Sequence, residues 1–117
     1  MNVDIHPSWK TYLQLEFDKP YFKSLTDFVK HEYKNHKCFP KGSEIFNAFN
    51  HTNFKDTNVI IIGQDPYHSQ ANQATGLCFG VGDGITPPPS LKNINKELKS
   101  DVNREITDYS LEYWAKQ

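Results

Sequence analysis

The sequence has few of the residues that mark a secreted, metal-binding or membrane protein. Cysteine occurs twice in 117 residues, as Cys38 and Cys78, and this separation matches no paired metal-ligand spacing. Two thiols in an otherwise ordinary chain are typical of a reducing compartment, so we expect a cytoplasmic location, or a nuclear one in a eukaryotic or viral source. No apolar run approaches the length of a membrane span, and the first residues lack the pattern of a signal peptide. We therefore expect no metal site and no membrane partner.

The chain also has no excess of positive or negative charge. The formal net charge is −1, which excludes a generally basic nucleic-acid binder, so any DNA contact must be local. Apolar residues make up 37% of the chain and aromatic residues 14%, which is enough for a core and argues against disorder. The length favours one domain, and we assign residues 1–117 to it.

The most informative stretch is a run of four β-branched residues, 59–62, followed by a polar loop. Such a run is typical of a short strand buried in a parallel sheet. Gly63 ends it, and Pro66 restricts Asp65 to an extended conformation. A carboxylate is therefore expected at the carboxyl end of a buried strand, where open α/β sheets bind ligands. An isolated Asp-Pro pair is more often a simple turn, and that alternative stays open for the dipeptide alone.

The sequence on both sides of residues 59–68 shows apolar residues at helical spacing. It predicts a first helix over Pro7–Phe17, a second from Pro20 with a core-facing stripe, and short helices after Ser43 and Ser110. Ser90 is predicted to cap a further helix, in which Leu91, Ile94 and Leu98 give one apolar face. The stripe of the second helix consists of Phe22, Leu25, Phe28 and Val29. Residues 77–81 are predicted to be a second extended segment, and residues 99–108 a mobile connection.

Three motifs in register carry a family resemblance. The string Gly63-Gln64-Asp65-Pro66-Tyr67-His68 closely resembles the water-activating loop of family 1 uracil-DNA glycosylases. Gly76-Leu77-Cys78-Phe79 and Pro87-Pro88-Pro89-Ser90-Leu91-Lys92-Asn93-Ile94 resemble the next two signatures of that family, in the same order and at a fitting spacing. Chance agreement of all three is unlikely, so the turn interpretation of Asp65-Pro66 loses most of its weight.

The resemblance implies a fold. It predicts an α/β protein with three α/β/α layers around a central parallel sheet, incomplete here because the family's later motifs do not occur in residues 1–117. Those motifs are an asparagine that reads uracil, a Gly-Ser phosphate loop and a His-Pro-Ser-Pro loop. The chain is thus expected to be the N-terminal portion of the domain, with its C-terminal half encoded separately or omitted.

The resemblance also implies residue roles. Asp65 becomes the catalytic carboxylate that activates water and stabilises the cationic sugar while uracil is excised from DNA in base-excision repair. Phe79 is expected to stack on the flipped base, Tyr67 to exclude the thymine methyl, and Gln64 to line the pocket. His68, Pro88, Pro89 and Ser90 are assigned to the DNA backbone. No metal or organic cofactor is implied.

Two other functions remain open at the level of sequence. A truncated or split chain could bind DNA or a partner without catalysing a reaction. An α/β nucleotide-binding module unrelated to repair is the weaker alternative, because no glycine-rich phosphate fingerprint follows residue 62.

Overall fold

The computed structural model describes residues 2–117 and is built from helices joined by long irregular segments. Five α-helices occur in chain order, together with 3-10 turns at Gly42–Glu44 and Phe54–Asp56. The α-helices are α1 (Pro7–Phe17), α2 (Pro20–Asn35), α3 (Asn47–His51), α4 (Pro89–Val102) and α5 (Glu112–Ala115). No helix in this part of the chain is long and apolar enough to cross a membrane.

Helix α1 has the predicted bounds. Its start is set locally: Pro7 supplies the fixed φ angle of a first helical residue, and the ring nitrogen Nδ1 of His6 accepts a hydrogen bond from the Ser8 amide at 3.2 Å. The helix buries Phe17 against Phe22 of α2, where the ring centroids lie 4.9 Å apart. Val3 and Ile5 complete this first apolar cluster.

Helix α2 starts at Pro20, as predicted, but its predicted core-facing stripe is wrong beyond the first turn. Phe22 is buried, whereas Leu25 and Phe28 are 49% and 61% exposed. The helix ends at Asn35, within the polar stretch that follows Val29. Residues 30–35 are polar but helix-compatible, and in residues 2–117 no other element covers the outer face of α2.

Helix α4 forms the second apolar cluster. Leu91 is fully buried with Val81, Ile106 and Leu111, and Ile94 packs against them from the same face of α4. The predicted apolar face of this helix is therefore confirmed.

The ends of α4 differ from the prediction. The helix begins at Pro89, so Ser90 lies in the first turn and makes no capping bond. It also extends to Val102, and Asn103 ends it in the left-handed region, at φ 53°. The Asn95 side-chain oxygen accepts a bond from the Ile106 amide at 2.6 Å, so the predicted mobile connection is tied back to the helix.

The predicted α/β fold is wrong for the residues that the structure describes. Residues 2–117 contain no strand and no sheet, so the three-layer arrangement with a central parallel sheet is absent from this chain. Residues 59–62 have no regular secondary structure, and their side chains are exposed, from 49% at Ile61 to 88% at Ile62. Residues 77–81 form turns around Cys78 and Phe79 instead of a second strand.

The physical reason is the lack of a pairing partner. A strand is defined by hydrogen bonds to a neighbouring strand, and β-branched composition alone cannot provide them. Here the Gln117 side chain supplies some of the hydrogen bonds that a neighbouring strand would make. Its Oε1 accepts from the Asn58 and Val59 amides at 2.7 and 2.9 Å. Its Nε2 donates to the Val59 carbonyl at 2.8 Å.

The overall shape reflects two small cores instead of one. The radius of gyration is 15.8 Å, and the principal extents are 46 × 36 × 20 Å. A compact domain of this length has a radius of gyration of roughly 13 Å. The first apolar cluster lies at α1 and α2, and the second at α4 and the segment that follows it.

Candidate active site

A cavity of about 310 Å³ lies where the polar loop after residue 62 meets the segment 74–80. This volume is at the lower end of the range for small-ligand sites. Three of the predicted site residues line it together: Gln64, Asp65 and Tyr67. The remaining lining residues are Pro40, Ile45, Gly63, Pro66, Ala74, Thr75, Gly76, Leu77, Cys78 and Gly80.

Close contacts at two glycines hold the cavity walls together. A Cβ atom on Gly63 would lie 2.9 Å from the Cys78 sulfur, so the loop and the opposite wall touch at this point. Gly76 has φ 81°, and a Cβ there would come within 1.9 Å of the Glu44 carbonyl oxygen. Only glycine fits at Gly76, because both its conformation and its surroundings exclude a side chain. Burial raises the pKa of the Cys78 thiol, which keeps this wall uncharged.

Asp65 stands at the rim of the cavity. Its side chain is 51% exposed, and its Oδ2 lies 3.8 Å from Nε2 of His68, whose side chain is 80% exposed. An ion pair this open and this long contributes little to stability. The carboxylate is therefore reachable by water.

Tyr67 connects the cavity to helix α4. Its ring packs against the second apolar cluster, and its hydroxyl lies 3.1 Å from the Ser90 hydroxyl. The same hydroxyl lies 3.5 Å from the Phe79 carbonyl oxygen. The loop and the start of α4, predicted separately as pocket and DNA-backbone residues, are thus in direct contact.

Phe79, which was predicted to stack on the base, and the predicted DNA-backbone residues lie outside the cavity wall. The Phe79 ring packs against the second apolar cluster, and its backbone has φ 64°. Pro88 precedes the first residue of α4, Pro89, and the side chains of Pro89 and Ser90 face solvent. The structure therefore groups Phe79 and Ser90 around Tyr67, next to the cavity.

Sequence reasoning missed the residues that support the cavity from behind. Asn47 of α3 donates from Nδ2 to the Thr75 carbonyl at 2.8 Å. The buried Gln73 accepts from the Ser69 amide at 3.2 Å, which closes the loop after His68. The only available signal was that Gln73 and Thr75 lie directly before the Gly76-Leu77-Cys78-Phe79 motif.

In the described part of the chain, no group of three or more His, Cys, Asp or Glu side chains is arranged to hold a metal ion.

Comparison with known proteins confirms the family resemblance. The chain is 55% identical to a protein named uracil-DNA glycosylase from Christiangramia forsetii, over 118 aligned positions. Proteins of the same name from Flavobacterium johnsoniae and Bacteroides thetaiotaomicron are 53% and 55% identical over the same length. Each alignment covers 100% of this chain and 53% of the relative. The chain thus spans about half the length of the curated relatives it matches. No family model matches it.

Proposed function

We propose that this chain carries the water-activating part of a uracil-DNA glycosylase, an enzyme that hydrolyses the bond between uracil and deoxyribose in DNA. The observation that carries the proposal is the cavity in which Gln64, Asp65 and Tyr67 meet. The relatives named uracil-DNA glycosylase support it, since the alignments with them cover the whole chain, including the segments that build this cavity.

Asp65 is the catalytic residue in this proposal. As the glycosidic bond breaks, uracil leaves with the bonding electrons and the sugar becomes cationic at C1′. A carboxylate beside C1′ stabilises that charge and orients the water that then adds to it. The open position of Asp65 at the cavity rim suits both roles, because water and sugar can approach the same carboxylate.

Selectivity is assigned to the cavity wall. A base must leave the duplex before it can enter, and the pocket has to tell uracil from thymine by one methyl group. Attractive contacts discriminate a methyl by only about 1–3 kcal/mol, whereas a rigid ring can exclude it. Tyr67 supplies such a ring, and Gln64 lies beside it.

DNA contact is assigned to the surface beside the cavity. His68 and Ser90 are both exposed there and can reach phosphate oxygens. Pro88 and Pro89 stiffen the backbone that leads to Ser90. A local contact agrees with the net charge of −1. The two free cysteines support the cytoplasmic location, which is part of the proposal.

Neither alternative function gains support. The relatives carry an enzyme name, which does not favour a catalytically inactive binding chain. A nucleotide-binding module of the α/β class gains none either, because no glycine-rich phosphate fingerprint follows residue 62.

The test is Asp65→Asn in the chain completed with the remainder of the Christiangramia forsetii relative. We expect uracil release from a labelled duplex to fall by about 10²–10⁴-fold, the usual worth of a positioned acid–base group. The melting temperature should stay within about 2 °C, because the side chain is half exposed and a surface change is worth little.

Asp101→Asn is the matched control, since Asp101 is an exposed aspartate on α4 away from the cavity. It should leave the release rate unchanged. Near-normal turnover by Asp65→Asn would remove this carboxylate from the mechanism.

A further inference from the structure

Tyr67 lines the cavity and also touches Ser90 of the predicted DNA-backbone surface. Its hydroxyl and the Ser90 hydroxyl are 3.1 Å apart, with Ser90 exposed in the first turn of α4. The Phe79 carbonyl oxygen lies 3.5 Å from the same Tyr67 hydroxyl, at the outer limit of a hydrogen bond.

Proton counting fixes how these three groups are connected. A carbonyl oxygen only accepts, and each hydroxyl has one proton to donate. When Tyr67 donates to Phe79, its oxygen accepts the proton of Ser90. A phosphate oxygen also only accepts, so when a phosphate binds Ser90, the Ser90 hydroxyl donates its hydrogen bond to the phosphate instead of to Tyr67. The Ser90 oxygen is then free to accept, and Tyr67 donates to it in place of the distant carbonyl.

The exchange favours the phosphate-bound arrangement. Tyr67 gives up the 3.5 Å hydrogen bond to the Phe79 carbonyl and keeps the 3.1 Å hydrogen bond to Ser90. The Ser90 hydroxyl then donates to the charged phosphate. Hydrogen bonds to charged groups are shorter and stronger than those between neutral groups.

We propose that Ser90 is a positioning residue that couples a DNA backbone phosphate to the Tyr67 wall of the cavity. This inference rests on the proposed function, which supplies the phosphate and the base. Its consequence is that the wall is held firmly only once DNA is engaged, so exclusion of thymine depends on Ser90 although Ser90 does not line the cavity.

The first test is a double-mutant cycle in the completed chain, with Ser90→Ala, Tyr67→Phe and both together. The measured quantities are the KM for DNA and the ratio of kcat/KM for uracil over thymine. Ser90→Ala should raise KM and also lower the ratio by about 3- to 10-fold, the worth of one hydrogen bond. In the Tyr67→Phe background, Ser90→Ala should raise KM but leave the ratio within twofold.

Two further variants separate coupling from a general structural effect. Ser90→Thr keeps the hydroxyl and should restore the ratio. Ser100→Ala, on the same helix, removes a hydroxyl that bonds only the Glu97 carbonyl and should change neither quantity. If Ser90→Ala raises KM equally in both backgrounds and never alters the ratio, Ser90 is a phosphate contact alone and the coupling is refuted.

The second test needs no turnover. The 13Cζ resonance of Tyr67, assigned by its loss in Tyr67→Phe, is followed while a duplex without uracil is added to saturation, as judged by fluorescence anisotropy. It should shift in the parent chain and in Ser90→Thr, and stay in place in Ser90→Ala.

A duplex that binds without moving the resonance overturns the coupling and leaves the proposed function standing. A shift in a completed chain that releases no uracil supports the coupling and sinks the proposed function. Failure of the duplex to bind at all overturns both.

Discussion

Gly63 and Cys78 meet where the polar loop closes on the opposite cavity wall. Because a Cβ on Gly63 would lie 2.9 Å from the Cys78 sulfur, the absence of a side chain sets the width of the cavity at this point. The arrangement makes the two residues a size-matched pair, and the pair can be probed without altering any polar group of the site.

We therefore expect Gly63→Ala to reduce the free energy of unfolding by about 1–3 kcal/mol, through overpacking against the Cys78 sulfur. Cys78→Ala in the same chain should recover most of that loss, because it removes the atom that the new methyl meets. Urea denaturation measures both.

Gly42→Ala is the control for the general effect of glycine replacement, since nothing lies within 4 Å of a Cβ there. It should be neutral or slightly stabilising. Equal losses for Gly63→Ala with and without Cys78 would show that the contact does not limit the wall.

Helix α4 is the element on which the site depends. Its first turn, which contains Ser90, lies beside the cavity, and its Leu91 is the fully buried centre of the second apolar cluster, onto which Tyr67 and Phe79 also pack. The position of the cavity wall is therefore coupled to the packing of one leucine in the first turn of the helix.

Leu91→Ala should lower the free energy of unfolding by about 2–5 kcal/mol, the range found for buried leucines. Leu15→Ala in α1 is the matched control: Leu15 is also helical but 79% exposed, and its loss should cost no more than about 0.5 kcal/mol. Chemical denaturation of the two variants under one set of conditions gives the comparison. Similar costs for both leucines would contradict the assigned core.

At the scale of the whole molecule, residues 59–62 form an exposed apolar run that no strand pairs with in residues 2–117. Residues 59–62 have exposed side chains, and the Gln117 side-chain amide bonds both the amide and the carbonyl of Val59. An exposed apolar extended segment is a template for pairing with another chain. This run also leads directly into the Gln64–Tyr67 loop, so its order affects the cavity.

We expect residues 1–117 alone to associate in solution and to release little uracil. Addition of the separately produced remainder of the Christiangramia forsetii relative should lower association, raise uracil release and slow hydrogen exchange at the amides of residues 60–62. Light scattering, a labelled-oligonucleotide assay and exchange mass spectrometry measure the three effects.

Ile61→Lys is the matched probe of the run, because it adds charge without touching the residues of the loop. It should reduce association of the chain alone and also weaken the effect of the added remainder. Robust uracil release by monomeric residues 1–117, free of host glycosylase, would contradict this prediction.

Features with a local cause were predictable from the sequence. Helix α1 has its predicted bounds because Pro7 and the His6 ring act within a few residues of its start. The apolar face of α4 follows from periodicity alone. The string Gln64-Asp65-Pro66-Tyr67 identified the cavity loop and the family resemblance, because the chemistry of the motif is written in consecutive residues.

Features with a non-local cause were decided by the tertiary structure. Residues 59–62 have the composition of a buried strand, yet hydrogen-bonded neighbours and cover come from elsewhere in a fold, and residues 2–117 supply neither. The outer face of α2 is exposed for the same reason. The contact between Tyr67 and Ser90 joins positions 23 residues apart, and the contact between Gly63 and Cys78 joins separate motifs. Periodicity reports which side of an element is apolar, whereas only the packed chain determines what that side meets.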